Sequence, residues 1–130
     1  MTLEITCTEL LELSKKNKGA TLLDVRTEAE WNLDGKPNGK ELGLNTYFIS
    51  YLLDTKNGRK PNPDFETTVE NLDIDKNKVV FVMCKSGMRS SKVAQILDQK
   101  GYKTYSVING FVCSEEVKPS CWKTSGLPTL

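Results

Sequence analysis

The segment best equipped for chemistry is Cys84-Lys85-Ser86-Gly87-Met88-Arg89-Ser90. A cysteine becomes a nucleophile once it loses its proton. This one ends an apolar run, Val79 to Met83, and stands before a stretch with helical periodicity, Ser90 to Lys100. A strand, a short glycine-containing loop and a helix start can aim several backbone N–H groups at one point. The anion at that point is the thiolate of Cys84 or a charged group bonded to it. Gly87 lets the backbone bend so that successive N–H groups face inward. Ser86 and Ser90 offer hydroxyl donors, Lys85 and Arg89 supply positive charge, and Met88 reads as rim or packing. An ordinary cysteine is only a few per cent ionised at neutral pH; a cradle of this kind, with Arg89, favours the thiolate. The plain alternative is a buried core cysteine, against which stand the glycine loop and its flanking cations.

The rest of the composition narrows the chemistry. The chain has no histidine, which removes serine–histidine and cysteine–histidine hydrolase arrangements. Activation of Cys84 is left to backbone dipoles, Arg and Lys. The four cysteines stand at 7, 84, 113 and 121, with no pair two residues apart, so zinc-ligand spacing is missing and no metal is expected. Cys7 and Cys121 read as packing residues. A net charge of +1, with no basic block beyond Lys15-Lys16-Asn17-Lys18, leaves no footprint for nucleic acid. No apolar stretch approaches the ~20 residues of a membrane span. Met1-Thr2-Leu3-Glu4 lacks the pattern of a secretory signal. The expectation is a cytoplasmic protein without a membrane partner, residues 1–130 forming one domain.

Strand and helix patterns alternate, which predicts an α/β domain around a mostly parallel sheet. Leu3 to Ile5 is a short strand. Thr6-Cys7-Thr8-Glu9 fits a capping box, and its helix turns Leu10, Leu11 and Leu13 inward and ends near Gly19. Thr21 to Val25 reads as a buried strand. A second capping box, Thr27-Glu28-Ala29-Glu30, opens a short helix containing Trp31. Asp34 to Gly39 is turn chemistry. Leu44 to Ser50 holds a strand, Tyr51 to Leu53 has no clear state, and Asn57-Gly58 is a turn. Asn62-Pro63-Asp64 signals a helix capped by Asn62, with Phe65, Val69 and Leu72 on its apolar face. Val93, Ala94, Ile96 and Leu97 line the inner side of the helix after the loop, and Gly101 stops it. Tyr102 to Val107 is the last strand, Asn109-Gly110 a turn, and Trp31, Phe111 and Trp122 core aromatics.

Together, Leu22-Leu23-Asp24-Val25-Arg26, Glu30-Trp31, the Cys84 to Ser90 loop, Asn109-Gly110-Phe111, Trp122 and Gly126-Leu127-Pro128 resemble a single-domain rhodanese, a thiosulfate-type sulfurtransferase. The likeness runs in order from about residue 3 to residue 128 and is most specific at the Cys84 loop. It implies a rhodanese-like fold, with a central sheet of about five strands and helices on both faces. Two departures stand out. Gly35-Lys36-Pro37-Asn38-Gly39 replaces the usual Gly-His-Ile-Pro-Gly-Ala turn. The segment from Lys40 to Pro61 is longer than a minimal member needs and is a candidate rim over the site.

The resemblance also implies a double displacement. Cys84 attacks the outer sulfur of an anionic donor such as thiosulfate, polysulfide or a persulfide, and holds it as a persulfide. A thiol or cyanide then removes it, with no cofactor required. Asp24 and Arg26 are candidate supporting residues: Asp24 at its strand's end either braces the loop or joins a structural ion pair, and Arg26 reads more as half of such a pair, for example with Glu30. Cys113 is either a resolving thiol for the persulfide or an unpaired cysteine. Arg59 and Lys60 either steer anionic donors or lie in a solvated loop. Loop length separates reaction classes: cysteine-dependent phosphatases carry five residues between Cys and Arg, whereas four separate Cys84 from Arg89. The smaller ring suits one sulfur atom better than a phosphoryl group. The alternatives are a non-catalytic or regulatory binding module and, less favoured, a phosphatase or arsenate reductase.

Overall fold

A computed structural model describes residues 3–85, 87–108, 110–112 and 121–130. The chain runs β1 (Leu3–Ile5), α1 (Cys7–Lys16), β2 (Thr21–Asp24), α2 (Glu28–Asp34), a 3-10 helix (Gly39–Leu42), β3 (Asn45–Phe48), β4 (Leu52–Thr55), β5 (Gly58–Pro61), α3 (Phe65–Asn71), β6 (Val79–Met83), α4 (Met88–Gln99) and β7 (Lys103–Val107). Five strands form one parallel sheet in the order β1-β7-β6-β2-β3, and β4 and β5 form a separate antiparallel hairpin.

Continuous apolar runs become strands buried on both faces. In β6, Phe81 and Met83 point to one side, where they pack with Cys7 and Leu10 of α1, Leu22, Phe111 and Trp122. Val80 and Val82 point to the other, against Phe65 and Val69 of α3 and Val93, Ala94 and Leu97 of α4. Period-two alternation thus splits the core into two layers with helices on each.

Both capping boxes form: Thr6 with Glu9, and Thr27 with Glu30. Other boundaries differ from expectation. The helix after the loop begins at Met88, two residues before Ser90, because Gly87 takes a φ of +109° that lets the chain turn directly into it. Asn62 does not cap α3. Its Oδ1 accepts the Asp64 N–H at 3.0 Å while its Nδ2 donates to the Ser50 carbonyl at 2.8 Å, so Asn62 ties the hairpin's exit and the helix opens at Phe65. Leu52 and Leu53 of the stretch without a clear state, and Arg59 and Lys60 of the expected loop, pair as the β4–β5 hairpin; its turn is Lys56 and Asn57, and Gly58 opens β5. The Gly35 to Gly39 turn is held by the C-terminus: Asn38 N–H donates to the Pro128 carbonyl and Leu130 N–H to that of Lys36, each at 2.9 Å. Among the described residues no helix is long and apolar enough to cross a membrane.

Candidate active site

β2 and β6 lie side by side, with Asp24 opposite Met83 and the Val25 N–H bonded to the Met83 carbonyl at 2.9 Å. The residues that follow both strands therefore meet at the sheet's carboxyl edge, where ligands bind in open α/β folds. Cys84 stands there as a free thiol, 1% exposed. The Gly87 N–H donates to its Sγ at 3.0 Å. Among the described residues no side chain caps the start of α4, which leaves the amides of its first turn facing the loop. The thiol donates in turn to Ser90 Oγ at 3.5 Å, and Ser90 lies 3.1 Å from the Gly87 carbonyl and 3.0 Å from Ser106 Oγ. Lys85 and Met88 are exposed on the rim. Ser86 and Cys113 lie outside the described residues.

Arg89 is placed differently from the expected closure of a ring around sulfur. Its guanidinium grips Glu30 with both terminal nitrogens, Nη1 to Oε1 at 2.7 Å and Nη2 to Oε2 at 2.9 Å. The hydrogen bond to Glu30 holds Arg89 more firmly protonated than usual against the opposing effect of burial, and the charge of Glu30, with those of Asp24 and an ionised Cys84, adds to this. The cation therefore acts on Cys84 through space while anchored to α2.

Burial alone would raise the Glu30 carboxyl. Its bonds from Arg89 and the Thr27 N–H, with the charges of Arg89 and Arg59, outweigh that and bring it down to about 2 from 4.5. A folded-state value below the unfolded one stabilises the protein fully above pH 4.5, and the gain is lost as pH falls through about 2. The contribution is roughly 3 kcal/mol. Glu30→Gln should therefore flatten the acid limb: the stability gap between wild type and variant, read from denaturant melts, shrinks steadily between pH 4.5 and 2. A constant gap would contradict the assignment.

Arg26 does not pair with Glu30. It bonds Asp24 instead, Nε to Oδ1 at 3.0 Å and Nη2 to Oδ2 at 2.8 Å, with both side chains fully buried. Nη2 also donates to the Gly35 carbonyl at 2.8 Å, while Nη1 is buried without a partner among the described residues. The guanidinium lies 4.2 Å over the Phe111 ring. Phe111 in turn donates its N–H to the Cys84 carbonyl at 2.9 Å. Asp24 thus reaches the loop indirectly, through Arg26 and Phe111.

Sequence reasoning passed over three residues of this site. Glu30 reads in the sequence as half of a capping box and as a nearby partner for Arg26, not as the anchor of Arg89, although the capping use leaves Oε2 open at a strand-to-helix junction. Ser106 was an unremarked polar residue inside an apolar strand, which is itself a signal when buried. Gly110 was read as a turn residue; a Cβ there would run into the carbonyl oxygens of Cys84 and Lys85.

Beside the loop opens a cleft of ≈ 510 Å³, whose walls include Arg59, Pro61, Lys85, Met88, Arg89 and Lys92. The hairpin closes one side, as expected of a rim. Arg59 reaches Glu30 Oε1 at 3.4 Å and Asp54 at 3.2 Å, so it belongs to the site rather than to a solvated loop.

Comparison with known proteins agrees with this arrangement. An uncharacterised Rickettsia conorii protein, RC0915, is 32% identical over 126 residues, covering 95% of this chain and 94% of its own. The crystal structure of Rv0390 from M. tuberculosis superposes with a TM-score of 0.80 at 28% identity, covering 100% of this chain and 97% of that one. A polysulfide-sulfur transferase homodimer from Wolinella succinogenes superposes with a TM-score of 0.66 at 26% identity, over 99% of this chain and 78% of that one. The rhodanese-like domain family model matches residues 6–112, from the capping residue of α1 past the loop's support at Phe111. With the five-stranded sheet and its cysteine loop, that match makes this chain a member of the rhodanese-like family.

Proposed function

We propose that the chain is a sulfurtransferase that carries a sulfane sulfur on Cys84. The observation that carries this reading is the 3.0 Å approach of the Gly87 N–H to Sγ at the open end of α4. A thiolate formed there gains a charge-assisted hydrogen bond and faces the positive end of the helix dipole. It loses its own bond to Ser90, whose hydroxyl can then rotate toward the sulfur. Lys85 at the rim attracts an anionic donor. Sγ attacks the outer sulfur of thiosulfate; the new S–S bond forms as the old one breaks, and sulfite leaves with its electron pair. The added sulfur stands about 2 Å beyond Sγ, which moves the reacting centre outward from a buried cysteine. A thiol or cyanide then takes it.

Membership in a family with sulfurtransferase members supports the reading, and a reducing cytoplasm suits a thiol cycle. The latch between Arg89 and Glu30 counts against a phosphatase, which would need that fork free for phosphate. Brief incubation with excess thiosulfate, followed by its removal, should raise the intact mass by one sulfur atom in wild type and not in Cys84→Ser. No adduct from thiosulfate, polysulfide or a persulfide donor would leave a binding module. Turnover of an aryl phosphate that is lost with Cys84 would restore the phosphatase reading.

A further inference from the structure

The cleft beside the loop is far larger than a single sulfur atom or cyanide requires. At ≈ 510 Å³ it falls in the size range that receives a small organic ligand. Arg59, Lys85, Arg89 and Lys92 line it, and no acidic residue does among those described. These cations are not equally available. Arg89 is committed to Glu30 through two short bonds. Arg59 is 43% exposed and stands 3.4 Å from a Glu30 oxygen that already receives Arg89 at 2.7 Å and the Thr27 N–H at 3.0 Å. Its other partner, Asp54, is itself half-exposed. Pairs of this kind are weakly held, so a carboxylate entering the cleft can take the guanidinium fork.

We infer that Arg59, seconded by Lys92, is a specificity-determining residue that reads the carboxylates of a peptide-sized anionic thiol, the acceptor of the sulfur on Cys84. This rests on the sulfurtransferase reading and adds the chemistry of the acceptor. The acceptor thiolate attacks the outer sulfur of the Cys84 persulfide. Its lone pair makes the new S–S bond, Sγ departs as thiolate with the pair of the old one, and the proton stays on the transferred sulfhydryl. No external oxidant or reductant enters.

The test loads the full chain with thiosulfate, removes the donor and follows loss of the persulfide. Three acceptors are compared: cyanide, glutathione as a tripeptide thiol with two carboxylates, and its diethyl ester. Glutathione should discharge wild type about tenfold faster than the ester, the worth of one charge-assisted hydrogen bond. The advantage should sit in the half-saturating concentration and fall with added salt. Arg59→Gln should bring the ratio near one, Arg59→Lys should keep part of it, and Lys92→Gln should lower it less. Comparing this ratio between wild type and variant cancels the intrinsic reactivity of the two thiols. Equal discharge by both in wild type, or a ratio untouched by Arg59→Gln, overturns the inference while leaving cyanide discharge and the transferase reading intact. No persulfide, or none that cyanide removes, overturns both. Equal discharge together with competitive block by a thiol-free acidic peptide assigns the cleft to a protein partner instead, and also overturns it.

Discussion

Gly110→Ala should cut sulfur loading of Cys84 by about two orders of magnitude, the usual penalty for a displacement near 1 Å at a reacting centre. Gly110 holds a φ of +45°, and its Cβ position falls against the carbonyls of Cys84 and Lys85. An added methyl group meets the carbonyl oxygens of both residues. The two sides of this contact are held unequally. The Cys84 carbonyl is fixed by the Phe111 N–H at 2.9 Å, and the Gly110 carbonyl receives the Trp122 N–H at 3.0 Å and the Cys7 thiol at 3.5 Å. Trp122 is fully buried and bonded through its indole N–H to Pro128 at 2.8 Å. The strain therefore passes to the loop, which is the less anchored partner. Pulse loading with thiosulfate measures the effect, and a denaturant melt shows whether the domain still unfolds cooperatively. A folded Gly110→Ala protein that loads at the wild-type rate would remove Gly110 from the support of the loop.

What could be read from the sequence depended on how far apart the interacting residues lie. The strands β2 and β6 were legible because burial on both faces leaves an unbroken apolar run. The capping boxes were legible because their partners are three residues apart. Cys84 stood out because a strand, a glycine and a helix start are adjacent in the chain. The contacts that define the site do not share that property. Arg89 meets Glu30 across 59 positions, and Cys7 meets Gly110 across 103. Such pairs depend on which strands become neighbours, which a local pattern does not encode. Arg26 shows the same limit from the other side: of two acids close in sequence, local spacing favoured Glu30, but the sheet buries Asp24 beside it and sends Glu30 to Arg89. The hairpin was missed because its strands are exposed and carry Lys, Arg, Asp and Gly, so alternation gave no signal. The extra length between Lys40 and Pro61 was nevertheless a sound guide to the rim, since the segment ends in the hairpin that bears Arg59.

Glu30 links three levels of this architecture. It caps α2 through Thr27, holds the active-site loop through Arg89, and draws the hairpin inward through Arg59. A single carboxylate shared by two guanidinium groups satisfies the buried one better than the exposed one. The loop is thereby fixed while the rim keeps a cation to offer. The same division separates catalysis, which needs a loop already in place, from recognition, which needs a group that can change partners.

Asp24→Asn should cost about 3–5 kcal/mol of folding stability, the usual penalty for removing one member of a buried ion pair. The substitution keeps volume, and the Asn oxygen can still accept the Arg26 N–H that Asp24 Oδ1 receives at 3.1 Å. The loss therefore reports charge rather than a cavity. It is steep because Arg26 has little to fall back on: the side chain is fully buried and Nη1 already lacks a partner among the described residues. Among the described residues, the Gly35 carbonyl, the face of Phe111 and the single Asn oxygen are what remain to the guanidinium. A second change makes the argument specific. Arg26→Met in the Asp24→Asn background should recover at least half of the loss, because a flexible apolar chain fills the space over Phe111 with no charge to solvate. Denaturant melts of the two single variants and the double variant supply the cycle. The loop should register the break too. Phe111 joins Arg26 to the Cys84 carbonyl, so amide exchange in the described part of the loop, from Gly87 to Ser90, should quicken in Asp24→Asn more than exchange in β1. A loss below about 1 kcal/mol, the range of exposed pairs, would mean that water reaches Arg26 and that Asp24 does not support the loop.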